Sequence, residues 1–254
     1  MKNFVKLFVL FFIILDFSSC MDNDNKDPYY FFVDEPAIIE SVSDDASLRD
    51  YAIVRTAYGK FCVPSLKDDV LQVNDILWSS FVVEKTDENK VQMPGNQYYY
   101  NATGFKYSKI DSSKVIIPAD AHEFESYLSD DYTEKINRAV LYKTYVDSLL
   151  FFEFEHGSPS TVFYYELFLN PTIESSNGHP TLYIRAKERL NYAHLPNQSR
   201  SIYAFDMTDF VDYYKRNFSG KNMVQFNLKY YVETKNGKDV YREFLSNPLS
   251  WHLY

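Results

Sequence analysis

The chain has 254 residues with 26 Lys and Arg against 35 Asp and Glu. The resulting net charge of -9 excludes the broad basic surface with which proteins meet phosphate backbones. Two cysteines exclude a disulfide framework, seven glycines leave little room for phosphate-cradling loops, and 23 Tyr with 21 Phe favour half-buried pleated surfaces over helices.

The first elements in chain order are a positive start, Lys2 and Lys6, an unbroken apolar run over residues 7–15, and then Asp16-Phe17-Ser18-Ser19-Cys20. A membrane-spanning helix needs about 20 apolar residues, so this run predicts a cleaved secretory signal over residues 1–19. A small-small-Cys ending is where a diacylglyceryl group is placed on the thiol before cleavage and the new amine is then acylated. Cys20 is therefore the expected lipidation site, an ordinary secretory cut near Ser19 being the other reading. Several acyl chains, each CH₂ contributing about 0.8 kcal/mol, hold a protein to a bilayer for long times. Cleavage removes two lysines and one aspartate, so the mature chain is one charge more acidic. Residues 20–35 begin Cys20-Met21-Asp22-Asn23-Asp24-Asn25, too polar to bury anything, and predict a lipidated flexible tether.

Residues 36–118 predict a small β-barrel. Tyr51 to Thr56, a turn at Tyr58-Gly59 and Lys60 to Val63 form a hairpin ending at Pro64. Ile76 to Lys85 is a long strand entered through Asn74-Asp75, and a polar loop with Met93-Pro94-Gly95-Asn96 leads to a strand from Tyr98 to Tyr107. Four or five strands in this span suit an OB-like barrel. Residues 119–137 carry Glu123, Glu125, Asp130, Asp131 and Glu134 and predict an acidic linker with room for one short helix.

Residues 138–254 predict a β-sandwich. A strand from Arg138 to Tyr145 and a turn at Asp147-Ser148 precede Leu149 to His156, where Leu150, Phe152 and Phe154 share one face and Glu153 and Glu155 the other. Further strands are expected at Thr161 to Leu169, Thr181 to Lys187 and Ser201 to Phe205. One short helix follows Asp206-Met207-Thr208-Asp209 and reaches Tyr214. Val224 to Tyr230 alternates, and Asn236-Gly237 before Val240 to Phe244 is the strongest hairpin signal in the chain. The fold class is thus all-β: an N-terminal OB-like barrel followed by a C-terminal β-sandwich with one short helix.

The order of these pieces resembles the NigD-like lipoproteins of Bacteroidetes. The likeness rests on the Ser18-Ser19-Cys20 signal with acidic residues behind it and on the barrel strand Asn74-Asp75-Ile76-Leu77-Trp78-Ser79-Ser80-Phe81. It extends to the opening of the second lobe at Leu149 to Phe154 and to the corner Tyr203-Ala204-Phe205-Asp206-Met207. It implies an OB-type barrel before a β-sandwich and display on the outer membrane. Through the bacteriocin gene cluster that named the family, it also implies a role in bacteriocin protection. The acidic run is thinner here than in the family, and Leu182 to Lys187 is more basic.

Spacing-dependent catalytic signatures are absent from the sequence: there is no Gly-x-Gly-x-x-Gly, no Walker loop, no His-Glu-x-x-His and no Gly-x-Ser-x-Gly. Glu153 and Glu155 are the best carboxylate pair, roughly 7 Å apart on one strand face, near the separation used in glycoside cleavage; a solvated strand face is the plainer account of them. His156 points away from both, and His122, His179, His194 and His252 are scattered. No metal or cofactor is expected. Cys62 lies within a strand, where a buried inert thiol is expected. Trp78, Tyr98 and Tyr100 are the candidate ligand-binding aromatics, because OB-type barrels bind oligosaccharides or single strands on a strand face, and acidic charge favours sugars. The expected partners are a membrane through the lipid anchor and a glycan or envelope protein, with no nucleic acid. The protein is thus read as a non-catalytic binding lipoprotein of the outer membrane, the alternatives being a polysaccharide hydrolase and bacteriocin protection.

Overall fold

The computed structural model describes residues 28–43, 51–64, 71–93, 96–128, 133–142, 146–156, 163–172, 178–189, 200–218, 223–244 and 248–252. The predicted signal, Cys20 and the start of the tether lie outside them.

The barrel is built from β1 (Tyr29–Ser43), β2 (Tyr51–Thr56), β3 (Gly59–Pro64), β4 (Ile76–Glu84), β5 (Lys90–Met93) and β6 (Gln97–Lys109). Its order is β3-β2-β1-β4-β6, and a parallel contact of β3 with β6 through Phe61↔Tyr100 and Cys62↔Asn101 closes five strands on themselves, with β5 flanking β6. This is the OB-type arrangement. Closure is possible because β1 is shared between two neighbours, its first half pairing with β4 and its second with β2. Within the β4 pairing the register shifts between Phe32 and Glu35, where Asp34 takes φ 54°. The Asp34 N–H donates to Ser80 Oγ at 3.0 Å, and Ser79 Oγ donates to the Glu35 carbonyl at 3.0 Å. A bulge of this kind bends the strand and re-aims it. Inside lie Phe32, Phe61 and Phe81 with Ile39, Val54, Leu77 and Val83, and Phe32 stacks on Phe81 at 4.6 Å.

The tether therefore ends earlier than residue 35. Tyr29-Tyr30-Phe31-Phe32-Val33 is an ordered strand, because Phe32 has a place in the barrel core that offsets the entropy of fixing its neighbours.

The second lobe begins before the expected boundary too. β7 (Ser112–Lys114) pairs in parallel with β13 (Arg200–Asp206), and Ile116 bridges Phe168, so the sandwich takes over within a few residues of Lys109. The polar Ser112-Ser113-Lys114 hid this: a short edge strand needs backbone partners and no apolar alternation. Nor are residues 119–137 a linker. They hold α1 (Ala121–Leu128), β8 (Thr133–Glu134), paired with β12, and the start of β9 (Ile136–Leu141). Asp120 Oδ1 accepts the Glu123 N–H at 2.9 Å while Glu123 Oε2 accepts the Ala119 N–H at 2.6 Å, a reciprocal helix start. Phe124, Tyr127 and Leu128 form a stripe that packs on Phe168 and Tyr183.

The remaining strands are β10 (Leu149–His156), β11 (Phe163–Asn170), β12 (Thr181–Glu188), β13 (Arg200–Asp206), β14 (Met223–Lys235), β15 (Lys238–Glu243) and β16 (Leu249–His252), with α2 (Thr208–Asn217) after β13. One sheet runs β7-β13-β10-β9; the other runs β11-β12-β14-β15, with β16 on β14 and β8 on β12. Leu150, Phe152 and Phe154 point to the shared core as their alternation predicts, meeting Tyr165, Leu167, Ile184, Phe205, Phe226 and Leu228, with Phe210 and Tyr214 of α2 closing one side. The Asn236-Gly237 turn has φ 53° and 71°, and the ladder closes on Lys235↔Lys238. Positive φ at both turn residues suits the strand twist, and glycine accepts it without strain.

Candidate functional site

The three aromatics singled out as a ligand platform do not form one. Trp78, at the start of β4, is buried, with Tyr142 at 4.6 Å and Phe151 at 6.5 Å between ring centroids. Both neighbours belong to the sandwich, so the indole is the centre of the seam between lobes, in a cluster with Ile38, Val146, Leu149, Phe151 and Ala204. Tyr98 is 58% exposed, and Tyr100 is half-buried with the Lys90 ammonium 5.5 Å from its ring. Trp78 pairs with Ser108 on β6. Tyr98 lies ten residues back along that strand, about 33 Å away if it runs straight. Sequence adjacency in aromatic content gave no warning of this, because which end of a strand meets a second lobe is not encoded in the strand itself.

A charged rim surrounds the seam. Arg55 Nη2 of the barrel meets Asp147 Oδ2 of the sandwich turn at 2.5 Å, while Lys60 Nζ lies 2.5 Å from Glu40 Oε1 beside them. Asp147 has φ 52°, a left-handed turn geometry that aspartate tolerates better than most residues. The Tyr142 hydroxyl donates to Glu153 Oε2 at 2.7 Å, and Glu153 Oε1 faces Arg200 Nη1 at 3.2 Å. Burial first, and Glu153 second, hold the Tyr142 hydroxyl above its ordinary range. Glu155 stands opposite Arg200 on β13 and opposite Arg138 on β9. The carboxylate pair is therefore interleaved with cations as a cross-strand ladder. Both Glu153 oxygens are engaged, one by the Tyr142 hydroxyl and one by the Arg200 guanidinium.

His156 lies on the opposite face, as its parity predicts. It is buried, its ring stacked 4.2 Å from Phe163, its Nε2 hydrogen-bonded with the Tyr165 hydroxyl and 3.3 Å from Ser201 Oγ. The Tyr165 hydroxyl donates to Ser201 Oγ at 3.1 Å. Burial pulls the imidazole down to about 4, so it is neutral at ordinary pH, and the same burial pushes Tyr165 up. A neutral ring between two hydroxyls satisfies core polar groups and makes a poor proton acceptor near neutrality. Cys62 is buried under Tyr51, Ile53 and Met93, its thiol pushed up to about 11 by desolvation, which suppresses the nucleophilic thiolate. Among the described residues, no group of three or more His, Cys, Asp and Glu is placed to hold a metal ion. His194 lies outside them.

One polar residue escaped the sequence reading. Arg185, in the middle of β12, is fully buried, its Nη2 3.1 Å from Glu166 Oε2 and its guanidinium 5.2 Å from the Phe168 ring. Lys187 Nζ reaches the same carboxylate oxygen at 3.3 Å. The clue was present as two basic residues in Leu182-Tyr183-Ile184-Arg185-Ala186-Lys187, but the helix α1 that covers this face could not be placed from it.

No protein-family model matches this sequence, and neither does any curated protein. Solved structures do. An uncharacterized protein from Parabacteroides merdae is 14% identical with a TM-score of 0.52, the match covering 82% of this chain and 94% of that one. Structural neighbours also include a NigD-like immunity protein from Bacteroides caccae, at 12% identity and TM-score 0.48 over 88% of this chain and 99% of that one. A candidate lipoprotein from Bacteroides fragilis is a further neighbour, at 8% identity and TM-score 0.48 over 85% and 96%. The Parabacteroides structure establishes that the two-lobed β fold recurs; at these identities nothing about activity passes with it.

Proposed function

We propose that this chain is a lipoprotein of the bacterial outer membrane, anchored through Cys20, and that its two lobes act together as a non-catalytic module that binds a glycan or an envelope protein. One observation carries the reading: the positive start, short apolar run and Phe17-Ser18-Ser19-Cys20 ending, which together make a signal that is cut at a modified cysteine. The engagement of Glu153 by Tyr142 and Arg200 supports the non-catalytic part, since the carboxylate that a hydrolase would need is committed to holding the sheet. The buried seam at Trp78 supports joint action of the lobes, because a ligand on one then meets a rigid neighbour.

The test is incorporation of labelled palmitate in wild type and Cys20→Ala, read with protease shaving of intact cells. Label in wild type and none in the variant is the expected result, with loss of the body on shaving if it faces outward. Recovery of mature protein free in the medium with an unmodified N-terminus would overturn the anchoring. Turnover of a glycan or peptide that disappears in Glu153→Gln would overturn the non-catalytic reading.

A further inference from the structure

Tyr29-Tyr30-Phe31-Phe32-Val33 is a run of five uncharged residues in an acidic chain, bounded by Asp27-Pro28 and Asp34. Phe32 is in the barrel core, yet Phe31 is 70% exposed, Val33 67%, Tyr29 47% and Tyr30 40%. Single exposed apolar residues are ordinary; several together on one strand face form a patch that calls for a contact. Alternation puts Tyr29, Phe31 and Val33 on the outer face of β1, beside half-buried Val82 of β4, which pairs with Phe31. Tyr30 turns the other way, and the Lys85 ammonium sits 4.0 Å over its ring. Tyrosines with a nearby lysine are what the headgroup layer of a bilayer accommodates, ring in the apolar zone and polar tip in water.

The register fixes where this patch is. Tyr29 pairs with Glu84, Phe31 with Val82 and Pro36 with Trp78, so the patch lies toward the end of β4 away from the seam, about 13 Å from Trp78 at Phe31 and about 20 Å at Tyr29. Tyr98 belongs to the same end, since Ala102 already pairs with Val83 and Tyr98 lies further along β6. From Cys20 to Tyr29 there are nine residue steps, which span at most about 32 Å. The chain thus runs from the anchor straight into the exposed apolar edge.

We infer that this edge of the barrel, Tyr29, Phe31 and Val33 with Tyr98 on the same end, rests in the interface of the bilayer that carries the Cys20 lipid, and holds the sandwich away from the membrane. The inference builds on the proposal that Cys20 is acylated, which by itself would allow a freely swinging body. The acidic surface is repelled by anionic headgroups, so this apolar edge, where Glu84 opposite Tyr29 is offset by Lys85, is the part suited to approach. A second attachment point also lengthens the residence of any acyl anchor.

The experiment uses the full acylated chain in phosphatidylethanolamine and phosphatidylglycerol vesicles, its mass checked for the acyl groups. A nitroxide is placed on Phe31→Cys, and in separate samples on Tyr98→Cys, which leaves Phe31 intact, and on Lys238→Cys in the sandwich hairpin. Relaxation by lipid-soluble oxygen is compared with relaxation by a water-soluble nickel chelate. The expected result is an oxygen-to-chelate ratio several-fold higher at positions 31 and 98 than at 238. Equal chelate access at all three positions on acylated protein overturns the inference and leaves the anchor standing. A chain of unacylated mass overturns both. Shielding of position 31 from both reagents, with crosslinking between copies through it, shows that a second copy covers the edge and overturns the membrane contact.

Discussion

The indole of Trp78 on the barrel packs 4.6 Å from the ring of Tyr142 on the sandwich, at the centre of a small apolar seam that ties the two lobes. Trp78→Ala removes the largest side chain of that cluster. Truncating a buried Trp typically costs about 3–5 kcal/mol, and here the loss falls on the joint. Urea unfolding of the variant is expected to split into two transitions where wild type shows one. Trp251 of β16 is the only other tryptophan, so fluorescence in the variant follows the sandwich alone. A single transition shifted as a whole would show that the lobes are coupled elsewhere.

Glu153 is positioned to hold Tyr142 and Arg200, so its contribution is expected in stability. Glu153→Gln should cost about 0.5–1.5 kcal/mol, the range for one hydrogen bond, and a double-mutant cycle with Tyr142→Phe should show coupling between the two. Additive costs in that cycle would remove the link between seam and ladder.

The depressed His156 imidazole makes a pH prediction with a definite sign. The unfolded chain takes up a proton near pH 6.5, whereas the folded ring resists until about 4. Below 6.5 the unfolded state therefore binds more protons. Stability contributed by the neutral buried ring is complete above 6.5 and drains away as pH falls toward 4, by on the order of 2–3 kcal/mol. Denaturant midpoints measured from pH 7 to 4 in wild type and His156→Phe should converge as the pH drops. Parallel curves would place the acid sensitivity in other groups.

Glu166 partners a guanidinium that has no exposure to water. Glu166→Leu should cost roughly 3–5 kcal/mol, because the buried Arg185 charge loses its carboxylate neighbour. Glu166→Leu with Arg185→Met should recover much of that loss, since a packed apolar pair can match a buried ion pair. Thermal or urea midpoints of the two variants read this directly. Equal losses in both would show that Arg185 contributes mainly through its guanidinium over the Phe168 ring.

Much of the architecture could be seen in the residues. Leu150, Phe152 and Phe154 against Glu153 and Glu155, the Tyr58-Gly59 turn and the Asn236-Gly237 turn are local signals, and each is matched by an element in the structure. Those signals work because side-chain parity and allowed backbone angles are properties of a few adjacent residues. Ser112-Ser113-Lys114 carries no such local mark and becomes a strand only because β13 offers it an edge. Tyr29 to Val33 does carry one, an aromatic run of high strand preference, but it directly follows the polar stretch behind Cys20, and its pairing with β4 is long-range.

The residues alone, then, determined the class of fold and the acidic character. Long-range pairing decided the rest. It made Trp78 a joint where a binding surface was expected, paired Glu153 with Arg200, set Glu155 opposite Arg200 and Arg138, buried Arg185 beside Glu166 and left Phe31 in the open. The physical reason is that burial and charge partnership belong to pairs of segments far apart in the chain, and a strand's own sequence does not state which neighbour will cover either of its faces.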